Sequence, residues 1–288
     1  AVGYLKEAYE IFPVSVNILY VLEKIAKEQK NNKKAVYYHT LAEANKYYIM
    51  NQSSGDPEEK IKLYKKAAEL EESDYLAYLS VAFVALYIAD NFIKEDKKDE
   101  SQSYCWAALE FIEKAKRNSS SPSIYLLSAQ AYVNLARTFS ERGNYDRAEF
   151  YINKAVEDFT ESAKRKHFTT FYEFGKLYLL WGDINYERGD EIEAKEKYLK
   201  AIELFETADK HLFEKRGYYL YYLLVDLAQS YYNLSLLEED YNSSISLTKK
   251  AYAYTEQALT LKAVYGVKAD NLRKKIRERL PHLELWKE

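Results

Sequence analysis

The side chains with the strongest chemistry are few and dispersed. Four histidines, His39, His167, His211 and His282, stand far apart, and none belongs to a His-Glu-x-x-His pattern that would set two imidazoles on one helix face to hold zinc. Cys105 is the only cysteine, so neither an intrachain disulfide nor a multi-thiolate metal site can form. Set between Tyr104 and Trp106, it reads as a small core residue and not as a nucleophile. No Gly-x-Ser-x-Gly elbow, phosphate-cradling glycine loop or dinucleotide fingerprint occurs. The 45 acidic residues stand against 42 basic ones, and on helices such carboxylates mainly balance lysines without singling out an acid–base pair. The expectation is a chain that is not an enzyme, with no cofactor and no metal, whose chemistry is recognition.

Recognition has its own residue types, and tyrosine dominates them, with 30 copies in 288 residues. A ring with a polar tip packs on one side and hydrogen-bonds on the other, which suits a fold made of surfaces. The formal charge of -3 supplies no field to draw nucleic acid, which is not favoured as a partner. The one basic concentration, Arg273, Lys274, Lys275, Arg277 and Arg279, reads first as the solvated face and cationic end of a final helix, with an acidic partner or nucleic acid as the alternative. No apolar run approaches the ~18–20 residues of a membrane-spanning helix. The first residue is Ala1, which leaves a cytoplasmic or an extracytoplasmic location after removal of a targeting segment equally open.

These groups must be positioned by helices. Glycine (8) and proline (4) are scarce, and apolar residues recur three and four apart from end to end. The pattern predicts thirteen helices near 2–11, 14–29, 32–50, 57–72, 74–94, 99–117, 122–142, 145–165, 169–188, 191–212, 217–240, 242–264 and 267–280. Asp56-Pro57 and Ser121-Pro122 are start signals, a capping side chain followed by a proline whose missing N–H is harmless at the first helical position. Gly143, Gly189 and Gly217 lie where a helix would close in the left-handed conformation, and Pro281 ends the last one.

One spacing recurs. A large residue precedes an alanine by 13 (Leu22 to Ala35, Leu135 to Ala148, Trp181 to Ala194), and a second alanine follows after 7 (Ala42, Ala155, Ala201). Alanines seven apart let two antiparallel helices approach closely. Trp181-Gly182, Gly189-Asp190, Ala194, Tyr198 and Ala201, together with Tyr132, Leu135, Ala136, Phe139, Gly143, Tyr145, Ala148 and Ala155, resemble the tetratricopeptide repeat family. The clearest repeats fall near 16–49, 129–162 and 175–208, and weaker second helices carry Ala108-Ile112-Ala115 and Ala251-Thr255-Ala258. The first signature alanines at 108, 148, 194 and 251 are 40, 46 and 57 residues apart against a family period of about 34, so the helices are elongated. The helix near 57–72 carries Tyr64 and Ala67 but has no first-helix partner in sequence. Ala8-Tyr9-Glu10-Ile11-Phe12-Pro13 is similar to the end of a repeat, which suggests truncation at the N-terminus.

The resemblance implies an all-α, right-handed superhelix of stacked antiparallel hairpins in a single domain, 1–288, with first helices lining a concave wall used for binding. By position it places Asn134, Arg137 and Ser140 on that wall from one repeat, Lys176, Asp183 and Tyr186 from the next, and Tyr222, Asp226, Gln229 and Tyr232 after them. Aromatic faces mixed with hydrogen-bonding groups suit a protein or extended peptide. Leu79, Phe83 and Leu180 stand where a carboxylate clamp needs cations and amides, which argues against a chaperone-type clamp. Alternatives are an extracytoplasmic small-solute-binding helper of a transporter, or the sensor or assembly part of a larger regulator; homo-oligomerisation is open.

Overall fold

The protein is described by a computed structural model that covers residues 2–50, 56–212, 218–261 and 268–279. Gly217 and Pro281 lie outside the described residues. Those described form thirteen α-helices and no strand: α1 Val2–Ile11, α2 Val16–Glu28, α3 Asn32–Met50, α4 Pro57–Leu70, α5 Tyr75–Lys94, α6 Lys98–Asn118, α7 Pro122–Ser140, α8 Tyr145–Ser162, α9 Phe168–Arg188, α10 Glu191–His211, α11 Tyr218–Leu236, α12 Tyr241–Thr260 and α13 Lys268–Arg279. The local signals act as their chemistry requires. Asp56 accepts the N–H of Glu58 and Ser121 that of Ser123, each ahead of a proline in the first turn. Gly189, at φ 83°, closes α9, and the next N–H, of Asp190, returns to the carbonyl of Asn185 at 2.8 Å, the Schellman arrangement that a side chain at this φ would strain.

The helices pack in two compact units, Ala1–Lys164 and Arg165–Glu288. In the first, α2 pairs with α3, α5 with α6, and α7 with α8. The signature alanines Ala35, Ala42, Ala108, Ala115, Ala148 and Ala155 are all buried, as are Leu22 and Leu135. Helix α4, which the repeat pattern could not pair, packs against α3 on one side and α5 on the other. A buried polar chain fixes it there. Tyr64 of α4 donates to Asn45 Oδ1 at 2.8 Å, Asn45 Nδ2 donates to Tyr9 of α1 at 2.9 Å, and Tyr9 shares a 2.8 Å hydrogen bond with Ser80 of α5. Four helices are thereby tied through hydroxyls and one amide.

Helix α5 departs from expectation. At 20 residues with mean hydropathy 1.7 it is long and apolar enough, by length and composition, to cross a bilayer, contrary to the reading that no run approached that length. Its apolarity has a packing cause: twelve of its twenty residues are buried, because it touches α1, α4, α6 and α7 and so has several greasy sides.

In the second unit α9 pairs with α10 and α11 with α12, while α13 packs on α12 and α11. The α9–α10 contact is set by two glycines receiving two rings. A Cβ on Gly175 would lie 2.6 Å from Phe205, and one on Gly182 would lie 2.5 Å from Tyr198. From 175 to 182 on α9 the partner runs from 205 back to 198 on α10, so the antiparallel register is fixed at two points seven residues apart. Trp181 is only partly buried, with Lys197 4.6 Å above its ring, and the close approach belongs to Gly182. In the same unit the basic run on α13 divides: Lys274 and Lys275 are exposed, whereas Arg277 donates to Tyr252 at 2.9 Å and Arg279 to the Ser235 carbonyl at 2.8 Å. Those guanidiniums fasten α13 to α12 and α11.

Candidate functional site

A helix presents residues three, four and seven apart on one side. On α9 this rule gathers Tyr172, Lys176, Asp183 and Tyr186, and on the neighbouring α11 it gathers Tyr222, Asp226, Gln229 and Asn233. The two stripes meet. Tyr172 donates to Asp226 Oδ2 at 2.8 Å, and Asn233 Nδ2 donates to Asp183 Oδ1 at 2.8 Å. Tyr198, from α10, donates to the same Asp183 oxygen at 2.8 Å, and Gln229 Nε2 donates to Asn233 Oδ1 at 2.6 Å. The result is a wall of two helices in which phenols, amides and carboxylates are hydrogen-bonded from one helix to the other.

Its electrostatics follow from partial burial. The Asp183 carboxyl is pushed up to about 6, first by burial and then by the Glu187 carboxylate, against the lowering effect of its Tyr198 and Asn233 donors. Asp226 is also raised, by burial foremost, and there Tyr172, Lys176 and Lys268 oppose the shift. A carboxylate loses hydration when buried, and a few neutral donors do not fully replace it. Lys176 is bonded to Glu173 at 2.9 Å and stands 5.5 Å from the centre of the Tyr172 ring, while Lys268 stands 5.3 Å from that of Tyr222. Cations thus already rest on two tyrosine faces of the wall.

The other expected positions divide. Tyr186 is exposed, at 45%. Tyr232 falls to the flank of the α11 stripe, with the Arg279 guanidinium 5.9 Å from its ring. In the first unit, on α7, Asn134 and Ser140 are each only 9% exposed, and Arg137 reaches Asp90 of α5 at 3.8 Å. These three line their own unit, and the wall described above belongs wholly to the second. Sequence reasoning missed Tyr172, Asn233 and Lys268. Extending the three-and-four spacing by one step from Lys176 and from Gln229 reaches the first two; Lys268 arrives from α13 by tertiary packing alone.

No protein-family model matches the chain, and no curated protein does. Among solved structures it is similar to BtubC (BKLC) from P. vanneervenii, at 17% identity over 92% of this chain and 89% of that one, with a TM-score of 0.48. It is likewise similar to TTC0263, a thermophilic TPR protein in Thermus thermophilus, at 16% identity over 85% and 99% with a TM-score of 0.44. YrrB, described as a TPR protein with an unusual peptide-binding site, aligns at 14% identity over 95% and 100% with a TM-score of 0.31. At these levels of likeness the tetratricopeptide-like character of the fold rests on this chain's own paired helices, buried alanines and glycine–ring contacts.

Proposed function

We propose that the chain is a non-catalytic scaffold that binds another protein through an extended peptide segment, and that the peptide lies along the α9–α11 wall. One observation carries this reading. Asp183 takes both of its hydrogen bonds on Oδ1, and Asp226 takes its own on Oδ2, so among the described residues Oδ2 of Asp183 and Oδ1 of Asp226 accept nothing. Each carboxylate is thus held through a single oxygen by the hydrogen bonds described. An ionised carboxyl has about four acceptor sites, and a peptide in extended form brings a backbone N–H at every residue. Tyr186, exposed on the same stripe of α9, supplies a flat surface for a side chain beside the polar groups, the mixture that peptide-binding grooves use.

The same hydrogen bonds favour binding over chemistry. Both carboxylates are oriented by the scaffold's own phenols and amides, and their raised protonation range stems from burial at a helix–helix seam. The direct test is selection of peptides from a random displayed library on the full chain, followed by titration of the selected sequences against Tyr186→Ala, Asp226→Asn and Gln229→Ala. Affinity is expected to fall about tenfold or more for Tyr186→Ala and Asp226→Asn, the loss of one well-placed contact being worth about 1.4 kcal/mol. Unchanged affinity in all three variants, with folded protein by circular dichroism, would overturn the reading.

A further inference from the structure

In the first unit five aromatic side chains meet around one ring. Tyr151 of α8 has Tyr132 and Phe139 of α7 stacked on it at 6.1 and 5.4 Å, with planes at 15° and 16° to its own. Trp106 of α6 and Phe150 of α8 meet the same ring edge-on, at 5.9 and 5.1 Å. Phe139 is buried, and Tyr132 and Tyr151 pack against the core, so the central ring is anchored. Trp106 and Phe150 nevertheless remain 44% and 56% exposed. Single exposed rings are ordinary, whereas exposed rings joined through a shared, anchored one make a patch that marks an interaction site.

The polar atoms of the patch are donors. Neither the Trp106 indole N–H nor the Tyr151 hydroxyl has a hydrogen-bond partner among the described residues; the indole can only donate, and the phenol can donate. The charged groups one turn away cancel. Glu110 is paired with Lys114 at 2.6 Å and Lys154 with Glu157 at 3.1 Å, and Asp146 is followed by Arg147, whose guanidinium stands 5.3 Å over the Phe139 ring. The complement of such a surface is apolar, uncharged and rich in acceptors. An ordinary peptide brings an N–H with every carbonyl, but proline brings the carbonyl alone. In the polyproline helix those carbonyls make no internal hydrogen bonds, and residues two apart are separated by about 6 Å, close to the ring spacings of 5.1 and 5.9 Å.

We infer that Trp106, Phe150 and Tyr151 form a docking site for a proline-rich segment of a partner protein, whose pyrrolidine rings pack on the aromatic faces and whose carbonyls accept from the indole N–H and the phenol. A polyproline helix is extended before it binds, so little conformational entropy is lost on such a surface. The site stands on the second helices of the α5–α6 and α7–α8 hairpins, wholly within the first unit, and is therefore independent of the extended-peptide reading of the α9–α11 wall.

The probe is a fluorescein-labelled decaproline peptide, compared with a counterpart carrying alanine in place of every proline, both ended by lysines for solubility, by fluorescence anisotropy on the full chain. The proline peptide is expected to bind at least about tenfold more tightly than the alanine one. Trp106→Ala, at an exposed position, is expected to weaken the proline peptide about tenfold or more. Trp106→Phe combined with Tyr151→Phe keeps three rings and removes both donors, and is likewise expected to weaken it about tenfold. Tyr186→Ala on the wall is expected to leave it unchanged. Absence of decaproline binding, equal affinity for the two peptides, or full affinity in either patch variant, with folded protein by circular dichroism, overturns the inference. So does a loss in Tyr186→Ala as large as that in Trp106→Ala, which would put the peptide on the wall instead.

Discussion

Asn45 takes the phenol of Tyr64 on its oxygen and gives its amide hydrogen to Tyr9, and all three side chains are buried. Truncation to alanine takes from the Tyr64 phenol its acceptor and from Tyr9 one of two partners, Ser80 remaining, and a desolvated group left unsatisfied costs about 1–3 kcal/mol. Asn45→Ala is therefore expected to lower the stability of the first unit by about 2–3 kcal/mol in chemical denaturation, and a loss below about 1 kcal/mol would show that the chain of hydroxyls relaxes. The same habit accounts for much of the tyrosine content: Tyr37 accepts the N–H of Ala77 and Tyr221 that of Ala269, so buried rings tie one helix to the start of another. Asp183 illustrates the opposite energetic sign. Its folded range, about 6, lies above the unfolded value of about 3.9, so its contribution is fully present below pH ~4 and is lost as pH rises through ~6. Asp183→Asn removes the ionisation and keeps an acceptor for Tyr198. The variant is expected to melt about 2–4 °C higher than the parent at pH 7.5 and to show no such gain at pH 4, as followed by circular dichroism.

At the level of elements, the three- and four-residue apolar spacing marked the helices because periodicity is a local property. The ends of α4 through α9 fall within a few residues of the expected bounds, helped by caps such as Asp56-Pro57 and Gly189. What escaped was non-local. Helix α4 has no hairpin partner in sequence because Asn45, the residue that receives it, lies outside any repeat signature. The basic run 273–279 gave no sign that Arg277 and Arg279 would be drawn into α12 and α11. The carboxylates of the wall were legible by position, whereas the pairing of Tyr172 with Asp226 and of Asn233 with Asp183 depends on how α9 and α11 lie side by side. The role of Gly182 was half legible: it belongs to the repeat signature, but the ring it admits, Tyr198, becomes visible only in the packing. Gly182→Ala gains helix propensity of about 1 kcal/mol and forces a methyl to within 2.5 Å of that ring, for which overpacking costs about 1–3 kcal/mol. A net loss of about 1–2 kcal/mol in urea denaturation is expected. A stabilised variant would mean that the Tyr198 ring swings aside freely.

Across the whole molecule, the buried clusters divide as the units do. Residues from Tyr9 to Leu135 make the core of the first, and Phe168 to Ile276 make those of the second. A unit with its own apolar core can fold alone, so residues 165–288 expressed separately are expected to give a helical far-UV spectrum and a cooperative melt. An unfolded fragment would refute that division. The central claim, that the α9–α11 wall receives a peptide, is tested most directly by placing a photoreactive benzophenone side chain at Tyr186 and, separately, at the exposed Phe150 of the first unit, then irradiating each with a library-selected peptide. Adduct formation from position 186 and none from position 150 is the predicted result; adduct from 150 with none from 186 would contradict it.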